Sequence, residues 1–472
     1  MISERTQRLK YIVSDYVTAN AAWLVYDCLR YWRGGVRGYS SIASFLTSDV
    51  VLLEQLLFPV MMMAVYYLSG YYNEVFRKSR LSELITTLTS SAINTLTPFF
   101  LVLLNDMQAN SRTNNYEMVL FLFGLLFSLT YLFRLIITSH TSYRIKKRIW
   151  SFETLVVGNG AAAFSFVQKM KKMRSSLGYH VVGYVSIPGE NAVKGLAEPV
   201  YTLDEVGEVC ARDQVKELIV VPTKQDMAVV LGVINRLYQL NLPIKITAEN
   251  FNIPLSKTRL ANLCGDPLID ISGSSMSESG KNIKRLLDLS VSGLLLVTLI
   301  PVYALLAAIV KCDSKGSVFY RQERLGLHNR PFQIIKYRSM RTGAESSGMP
   351  QLASDDDPRI TKVGKVLRKY RLDELPQFWN VLKGDMSIVG PRPERQYFAE
   401  QILAREPAYS LVYQVRPGIT SMGMVKFGYA RNVDEMLERL HYDLLYLENM
   451  SIINDLKIIV YTIKIVFTGR GV

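Results

Sequence analysis

The 472-residue chain predicts an α/β membrane protein, in which a four-helix transmembrane bundle, a parallel α/β module and a mainly helical domain with a re-entrant membrane helix follow one another. Three observations carry that expectation. Four apolar stretches crowd the first 150 residues, a glycine-rich turn follows an apolar run near residue 155, and a proline-broken apolar stretch precedes an arginine-dense C-terminal part. The expected boundaries are 1–149 for the bundle, 150–250 for the module, 251–280 for a linker and 281–472 for the last domain. Composition agrees with this layout. Apolar residues make up 49%, mean hydropathy is +0.13, and the length exceeds what one ordinary core holds. A net charge of +14 suits anionic lipid or phosphorylated small molecules. No nucleic-acid partner is expected, because no recognition motif accompanies the charge. Four scattered cysteines and four scattered histidines argue against a zinc site, a disulfide framework or histidine-based catalysis.

The four apolar stretches lie at roughly 11–32, 48–72, 84–105 and 117–138, each close to the ~20 residues a bilayer helix needs. The first is interrupted by Ser14, Asp15, Asn20 and Asp27; the fourth is the cleanest. The first lacks a small-residue cleavage pattern, so no cleavable signal peptide is expected. Basic residues precede the first stretch (Arg5, Arg8, Lys10), separate the second from the third (Arg77, Lys78, Arg80) and follow the fourth (Arg144, Lys146, Lys147, Arg148). The positive-inside rule then places both ends of the bundle in the cytosol, with Arg33 and Arg37 against the trend.

Thr154-Leu155-Val156-Val157 reads as a buried strand, and Gly158-Asn159-Gly160-Ala161-Ala162-Ala163 as the G-x-G-x-x-A turn of a Rossmann-like fold. Further strands are expected at 180–186, 217–221 and 244–247, with a helix over 226–240, giving a parallel sheet of four or five strands. The second strand ends in Ser186 where a ribose-binding acid would stand, and Glu190 follows only after Pro188-Gly189. The glycines serve either a nucleotide or merely a tight turn and close helix packing. A regulatory or structural module is the expectation.

The Ser/Gly-rich passage 251–280 reads as a linker. The apolar run within 283–310 that follows is long enough to span. It has basic flanks on both sides (Lys281, Lys284, Arg285; Lys311, Lys315) and Pro301 near its middle. Equal flanks favour neither side of a membrane, and Pro301 removes a helix hydrogen bond, so a helix that enters, bends and returns is expected.

Beyond it, Arg321, Arg324, Lys336, Arg338, Arg368, Arg392 and Arg416 stand in or beside short motifs, several bracketed by proline or glycine. Rigid loops that hold guanidinium groups suit phosphate oxygens. Asp373-Glu374 lies just ahead of Pro376, which is placed to open a helix over 377–382. Such an N-terminus attracts phosphate. Adjacent carboxylates among arginines fit one that helps hold Mg²⁺ and one that attacks phosphorus.

The motifs Tyr320-Arg321-Gln322-Glu323-Arg324-Leu325-Gly326, Lys336-Tyr337-Arg338-Ser339-Met340, Leu372-Asp373-Glu374-Leu375-Pro376-Gln377, Val389-Gly390-Pro391-Arg392-Pro393-Glu394 and Val415-Arg416-Pro417-Gly418-Ile419-Thr420 occur in this order. In them the chain resembles the bacterial polyprenyl-phosphate phosphoglycosyl transferases, the large kind that initiates capsule, exopolysaccharide or O-antigen units. The resemblance implies that Asp373 attacks the β-phosphorus of a UDP-sugar and releases UMP, and that undecaprenyl phosphate then takes the phosphosugar. It implies Mg²⁺ at Asp373 and Glu374, and a re-entrant helix at 283–310. It also implies membrane lipids as surroundings, and a multi-pass protein of the bacterial inner membrane with its catalytic domain on the cytosolic face. A homodimer through the bundle or the module is an arrangement open to it. One departure is Ser421-Met422-Gly423, where many relatives carry Gly-Trp.

Two rival classes are weaker. A membrane-anchored nucleotide-sugar dehydratase needs Tyr-x-x-x-Lys after the glycine turn, and the clear match, Tyr143 to Lys147, precedes it. A non-enzymatic nucleotide sensor leaves the arginines and carboxylates of 321–416 unexplained. The C-terminal run 458–467 is too short to span and reads as a surface amphipathic helix or a plain core helix.

Overall fold

The structure is a computed structural model describing every residue except 1–2, 34–37, 77, 99–111, 174–175, 194–195, 224–226, 241, 248–258, 261–267, 272–274, 344–356 and 469–472. It divides into two compact units. One comprises Met1–Ser151, Arg174–Gly178 and Ser277–Ile283; the other comprises Phe152–Met173, Tyr179–Met276 and Lys284–Val472.

In the first unit the helices are α1 (Glu4–Trp32), α2 (Ile42–Leu46), α3 (Asp49–Leu68), α4 (Arg80–Pro98) and α5 (Arg112–Lys146). The Ser3 hydroxyl opens α1 by accepting from the Thr6 amide at 3.1 Å. α1 packs on α3 and α5, and α4 on α3 and α5. Asp49–Leu68 and Tyr116–Lys146 are long and apolar enough to cross a membrane. α1 and α4 do not reach that measure, and the expected third stretch continues into 99–105, outside the described residues.

The reason lies in which side is polar. α4 buries Glu83, Thr87, Ser90, Ser91, Asn94 and Thr95, while Leu81, Ile85, Leu88, Ile93 and Leu96 are exposed. α1 likewise buries Gln7, Asp15, Thr18 and Asp27 and exposes Leu9, Val13, Val17, Leu24 and Val25. Within this polar centre Arg134 donates to both oxygens of Asp15, at 2.8 and 2.6 Å, and to the Thr87 hydroxyl at 3.0 Å. Its guanidinium also lies over the rings of Tyr71 and Tyr66, at 3.6 and 4.3 Å. The Tyr72 hydroxyl donates to Asp15, and Glu83 accepts from Tyr71 and Thr138.

The second unit opens on β1 (Phe152–Val157), α6 (Ala161–Lys172), β2 (Tyr179–Val185), β3 (Val200–Tyr201), α7 (Val206–Arg212), β4 (Glu217–Val220), α8 (Met227–Tyr238), β5 (Ile244–Thr247), β6 (Arg259–Leu260) and β7 (Leu268–Asp270). The sheet order is β3-β2-β1-β4-β5-β7-β6; the pairs from β3 through β5 are parallel, and β7 runs antiparallel to both β5 and β6. Leu155, Val157, Leu218, Val220, Ile244 and Ile246 are fully buried in its core, as strands covered on both faces require. The expected strands are present within a residue or two, but 251–280 is not simply a linker. It supplies β6 and β7, whose pairing buries Leu268 and Ile269 against β5.

Next come α9 (Glu278–Thr298) and α10 (Ile300–Asp313), bent by 65° at the break between them. Pro301 falls in the first turn of α10, where its missing amide costs nothing, so it starts a helix instead of kinking one in mid-course. The Thr298 hydroxyl donates to the Leu294 carbonyl at 2.8 Å. The antiparallel pair β8 (Phe319–Leu325) and β9 (Pro331–Tyr337) follows, then α11 (Lys362–Lys369), α12 (Gln377–Lys383), β10 (Ser387–Val389), α13 (Gln396–Arg405), β11 (Gly418–Thr420), α14 (Met422–Lys426), α15 (Val433–Glu448) and α16 (Ile452–Thr468). β10 and β11 pair in parallel, and Gly390 and Gly418 meet so closely that a Cβ on Gly418 would lie 2.2 Å from the Gly390 nitrogen. That contact fixes the Pro391-Arg392-Pro393 loop against the Arg416-Pro417 loop. α16 is longer than expected at 17 residues, still short of the ~20 needed to span.

Candidate active site

Asp373 and Glu374 occupy a single 3₁₀ turn, Leu372–Glu374, between α11 and α12, and are only 7% and 4% exposed. Arg371 enters the turn in a left-handed conformation (φ 52°), unusual for a residue with a side chain. Pro376 caps α12. Asn380 on α12 accepts from the Ile335 amide and donates to the Gln333 carbonyl, which sets the helix against β9. The Leu375 carbonyl accepts from the Tyr303 hydroxyl of α10 at 3.2 Å, and the Tyr303 carbonyl accepts from Tyr337 of β9 at 2.9 Å. Helix, strand and bent-pair arm thus converge on one turn.

Lys336 of β9 binds the Glu374 carboxylate at 2.8 Å, and Arg392 lies 3.8 Å from the same oxygen. Arg368 donates to the Ser339 hydroxyl and stands near enough to Asp373 to act on its charge. Arg324 donates to the Pro393 carbonyl and Glu394, bracing the Arg392 loop from behind. Asp443 accepts from the Arg392 amide at 3.3 Å and the Gly423 amide at 2.8 Å. Arg439 pairs with Glu394.

Three expected residues stand elsewhere. Lys336 shares a face of the β8–β9 pair with Tyr320, so Arg321, the next residue, is exposed on the opposite face. Arg338 donates to the carbonyls of Ser314 and Val310 and closes the end of α10. Arg416 donates to the Gly384 carbonyl after α12. One residue not foreseen, Tyr429, joins the site. Tyr429 sits beneath the guanidinium groups of both Arg371 and Arg392, at 5.3 and 5.0 Å. Nothing in its local sequence marks it.

The two carboxyls are tuned apart. Burial pushes Asp373 above the usual carboxylate range; Lys336 and Arg368 oppose that rise and Glu374 adds to it. Burial acts on Glu374 as well, but Lys336, Arg392 and Arg371 overcome it and hold the group ionised, below its usual range. Burial raises Tyr429 to about 12, reinforced by Glu374. Divergent environments for neighbouring carboxyls mark different chemical roles. Among the described atoms, Arg371 Nε and Gln377 Nε2 are buried donors without a partner beside this pair. No group of three or more His, Cys, Asp or Glu side chains suited to a metal is found among the described residues. A cation here would have to take most of its ligands from phosphate and water, which is how Mg²⁺ commonly binds.

A basic cradle around two unlike carboxylates is the kind of surface that suits phosphate oxygens. The bacterial sugar transferase family matches residues 279–469, the part of the chain that holds it. The chain is 42% identical over 189 residues to the Aeromonas hydrophila UDP-N-acetylgalactosamine-undecaprenyl-phosphate N-acetylgalactosaminephosphotransferase, covering 40% of this chain and 44% of that protein. It is 36% identical over 241 residues to the Klebsiella pneumoniae UDP-glucose:undecaprenyl-phosphate glucose-1-phosphate transferase, covering 51% and 52%. It is 30% identical over 319 residues to the Escherichia coli (strain K12) protein of the same name, covering 67% and 68%. The chain thus spans about half the length of the first two of these relatives and two thirds of the third. It belongs to the bacterial sugar transferase family.

Proposed function

We propose that this protein transfers a sugar 1-phosphate from a UDP-sugar to undecaprenyl phosphate, releasing UMP and initiating a capsule, exopolysaccharide or O-antigen unit. The observation that carries the reading is the split pair: one carboxylate locked in ion pairs, its neighbour raised by burial, with unpartnered donors beside both. The relatives' names support the substrate classes.

An Asp373 oxygen attacks the β-phosphorus of the donor; the bond to the bridging oxygen breaks and UMP leaves with its electron pair. A phosphate oxygen of the lipid then attacks the same phosphorus, and Asp373 leaves as carboxylate. Lys336 and Arg392 keep Glu374 ionised, while Arg371 and Arg392, seated on Tyr429, face the incoming phosphates. Asp373 and Glu374 are the residues that would hold Mg²⁺, which neutralises phosphate charge when bound. The polar-inside, apolar-outside helices of the first unit support a four-helix transmembrane bundle. The 65° bend, with basic residues at both ends, supports a re-entrant α9–α10 pair and a catalytic domain on the cytosolic face of a bacterial inner membrane.

Incubation with Mg²⁺, undecaprenyl phosphate and a panel of UDP-sugars is expected to release UMP with one or two donors. Release of UDP instead would place the reaction in another class. Attack requires ionised Asp373, so the rate rises with pH through its folded pKa. Because that pKa is raised, the acid limb of UMP release lies above the ordinary aspartate value of 3.8. In Lys336→Met, which removes a charge that lowers it, the limb moves further up. A wild-type limb at or below the ordinary value would remove Asp373 from the attacking role.

A further inference from the structure

We propose that the α/β module carries a second anion site, in which the phosphate of a small ligand takes the place of the protein's own Glu190 carboxylate. The position follows from the sheet. Strand order runs β3-β2-β1 on one side and β4-β5 on the other, so the chain reverses direction of travel between β1 and β4. Open parallel sheets bind ligands beyond the carboxyl ends of the strands at that reversal, with phosphate on the helix N-terminus after the first strand.

Here that crevice is filled from within. Glu190 Oε2 accepts from the Asn159 amide, just after β1, and Oε1 accepts from the Thr223 amide, just after β4, both at 2.9 Å. One carboxylate therefore bridges the two central strands with the paired oxygens and negative charge that a phosphate would bring. Gly160 opens the 12-residue α6 directly beneath it. A Cβ there would stand 2.3 Å from Thr223 Oγ1 and 2.7 Å from Glu190 Oε1, so only glycine leaves the crevice room for an occupant.

Independent of the carboxylate, two polar atoms at this turn point to a larger occupant. The buried Thr223 Oγ1 beside Gly160 has no partner and can donate to a phosphate oxygen, while Asn159, 6% exposed, has a buried, unpartnered Oδ1 that can accept only from a hydroxyl of the ligand or a protonated phosphate oxygen. Burying such atoms unpaired is costly. The carboxylate satisfies the backbone amides of both residues but leaves their side chains unused. Glu190 arrives on the short turn after β2, held by its own amide to the Ile187 carbonyl and by Val193 to the Asn159 carbonyl. Ser186 ends β2's run where a ribose-binding acid would stand, so phosphate, not ribose, defines the ligand.

The test uses hydrogen exchange in the full chain in detergent, read on peptides covering Asn159 and Thr223, with inorganic phosphate and ADP as probes. Wild type is expected to protect both amides with or without probe. Glu190→Ala is expected to lose that protection and regain at least ten-fold slower exchange when a probe is added. Slowing by ADP alone identifies a nucleotide phosphate; equal slowing by both identifies a simple anion; either supports the site. Failure of both probes to slow exchange in the variant overturns it and leaves Glu190 a structural brace. Should Glu190→Ala not fold, Glu190→Gln, which keeps the size and removes the charge, is read against the same criteria. Reading the amides of the module, and not total binding, keeps the result separate from phosphate held at Asp373 and Glu374.

Discussion

Asp373→Asn is expected to abolish UMP release, lowering the rate at least about a thousand-fold, the scale on which removal of an attacking group acts. Asparagine keeps the size and position of the side chain in the 3₁₀ turn but supplies no carboxylate to bond to phosphorus. It also leaves the Lys336–Glu374 pair intact, so the variant isolates attack from architecture. Brief exposure to donor labelled in the β-phosphate should mark the wild-type chain and leave Asp373→Asn unmarked. Retention of more than a tenth of the rate in the variant would sink the covalent route while leaving family membership untouched. Glu374→Gln provides a contrast, because it strands Lys336 and weakens the hold on Arg392, so loss of activity should come with loss of stability.

Arg134→Met is expected to destabilise the first unit by about 3–5 kcal/mol, the cost of stranding a buried charge. Arg134 and Asp15 have side chains with no exposure, joined by two hydrogen bonds. Without the guanidinium, Asp15 keeps the Tyr72 hydroxyl, and Thr87 loses a donor. The measurement is thermal unfolding in detergent. The double variant Asp15→Leu/Arg134→Met should recover much of the loss, because Asp15 is then not left as a buried charge without its partner. A single variant that melts with wild type would show that water reaches this centre and that the pair is not buried in the working protein.

Strands and helices whose sides differ in polarity are legible in the sequence. β9 and β5 fall on the alternations of 331–337 and 244–247, and β1 and β4 on the apolar runs that end them. β6 and β7 are not, because short pairings at a sheet edge depend on a partner strand and little on their own composition. The carboxylate turn is legible because Pro376 marks where a helix begins. The arginines are legible as a class and not as a set. Proline and glycine signal that a loop is rigid, but only the fold decides that Arg392 faces Glu374 while Arg338 and Arg416 close helix ends. Tyr429 reaches the site from 55 residues beyond Glu374, a distance no local pattern bridges. Asp15 and Asp27 stand out as interruptions of an apolar stretch; the partner of Asp15 lies inside the cleanest one.

The hydrogen bond from Tyr303 to the Leu375 carbonyl, and that from Tyr337 to the Tyr303 carbonyl, make α10 a strut that ties the bent pair to the Asp373-Glu374 turn. The same helix packs Leu306 and Val310 against Leu367, with Leu372 and Leu375 alongside. In the re-entrant arrangement proposed above, that strut would act as a depth gauge. It would hold the carboxylates at a set height relative to the bilayer, so that the lipid's phosphate would be met where it already floats and need not be lifted out.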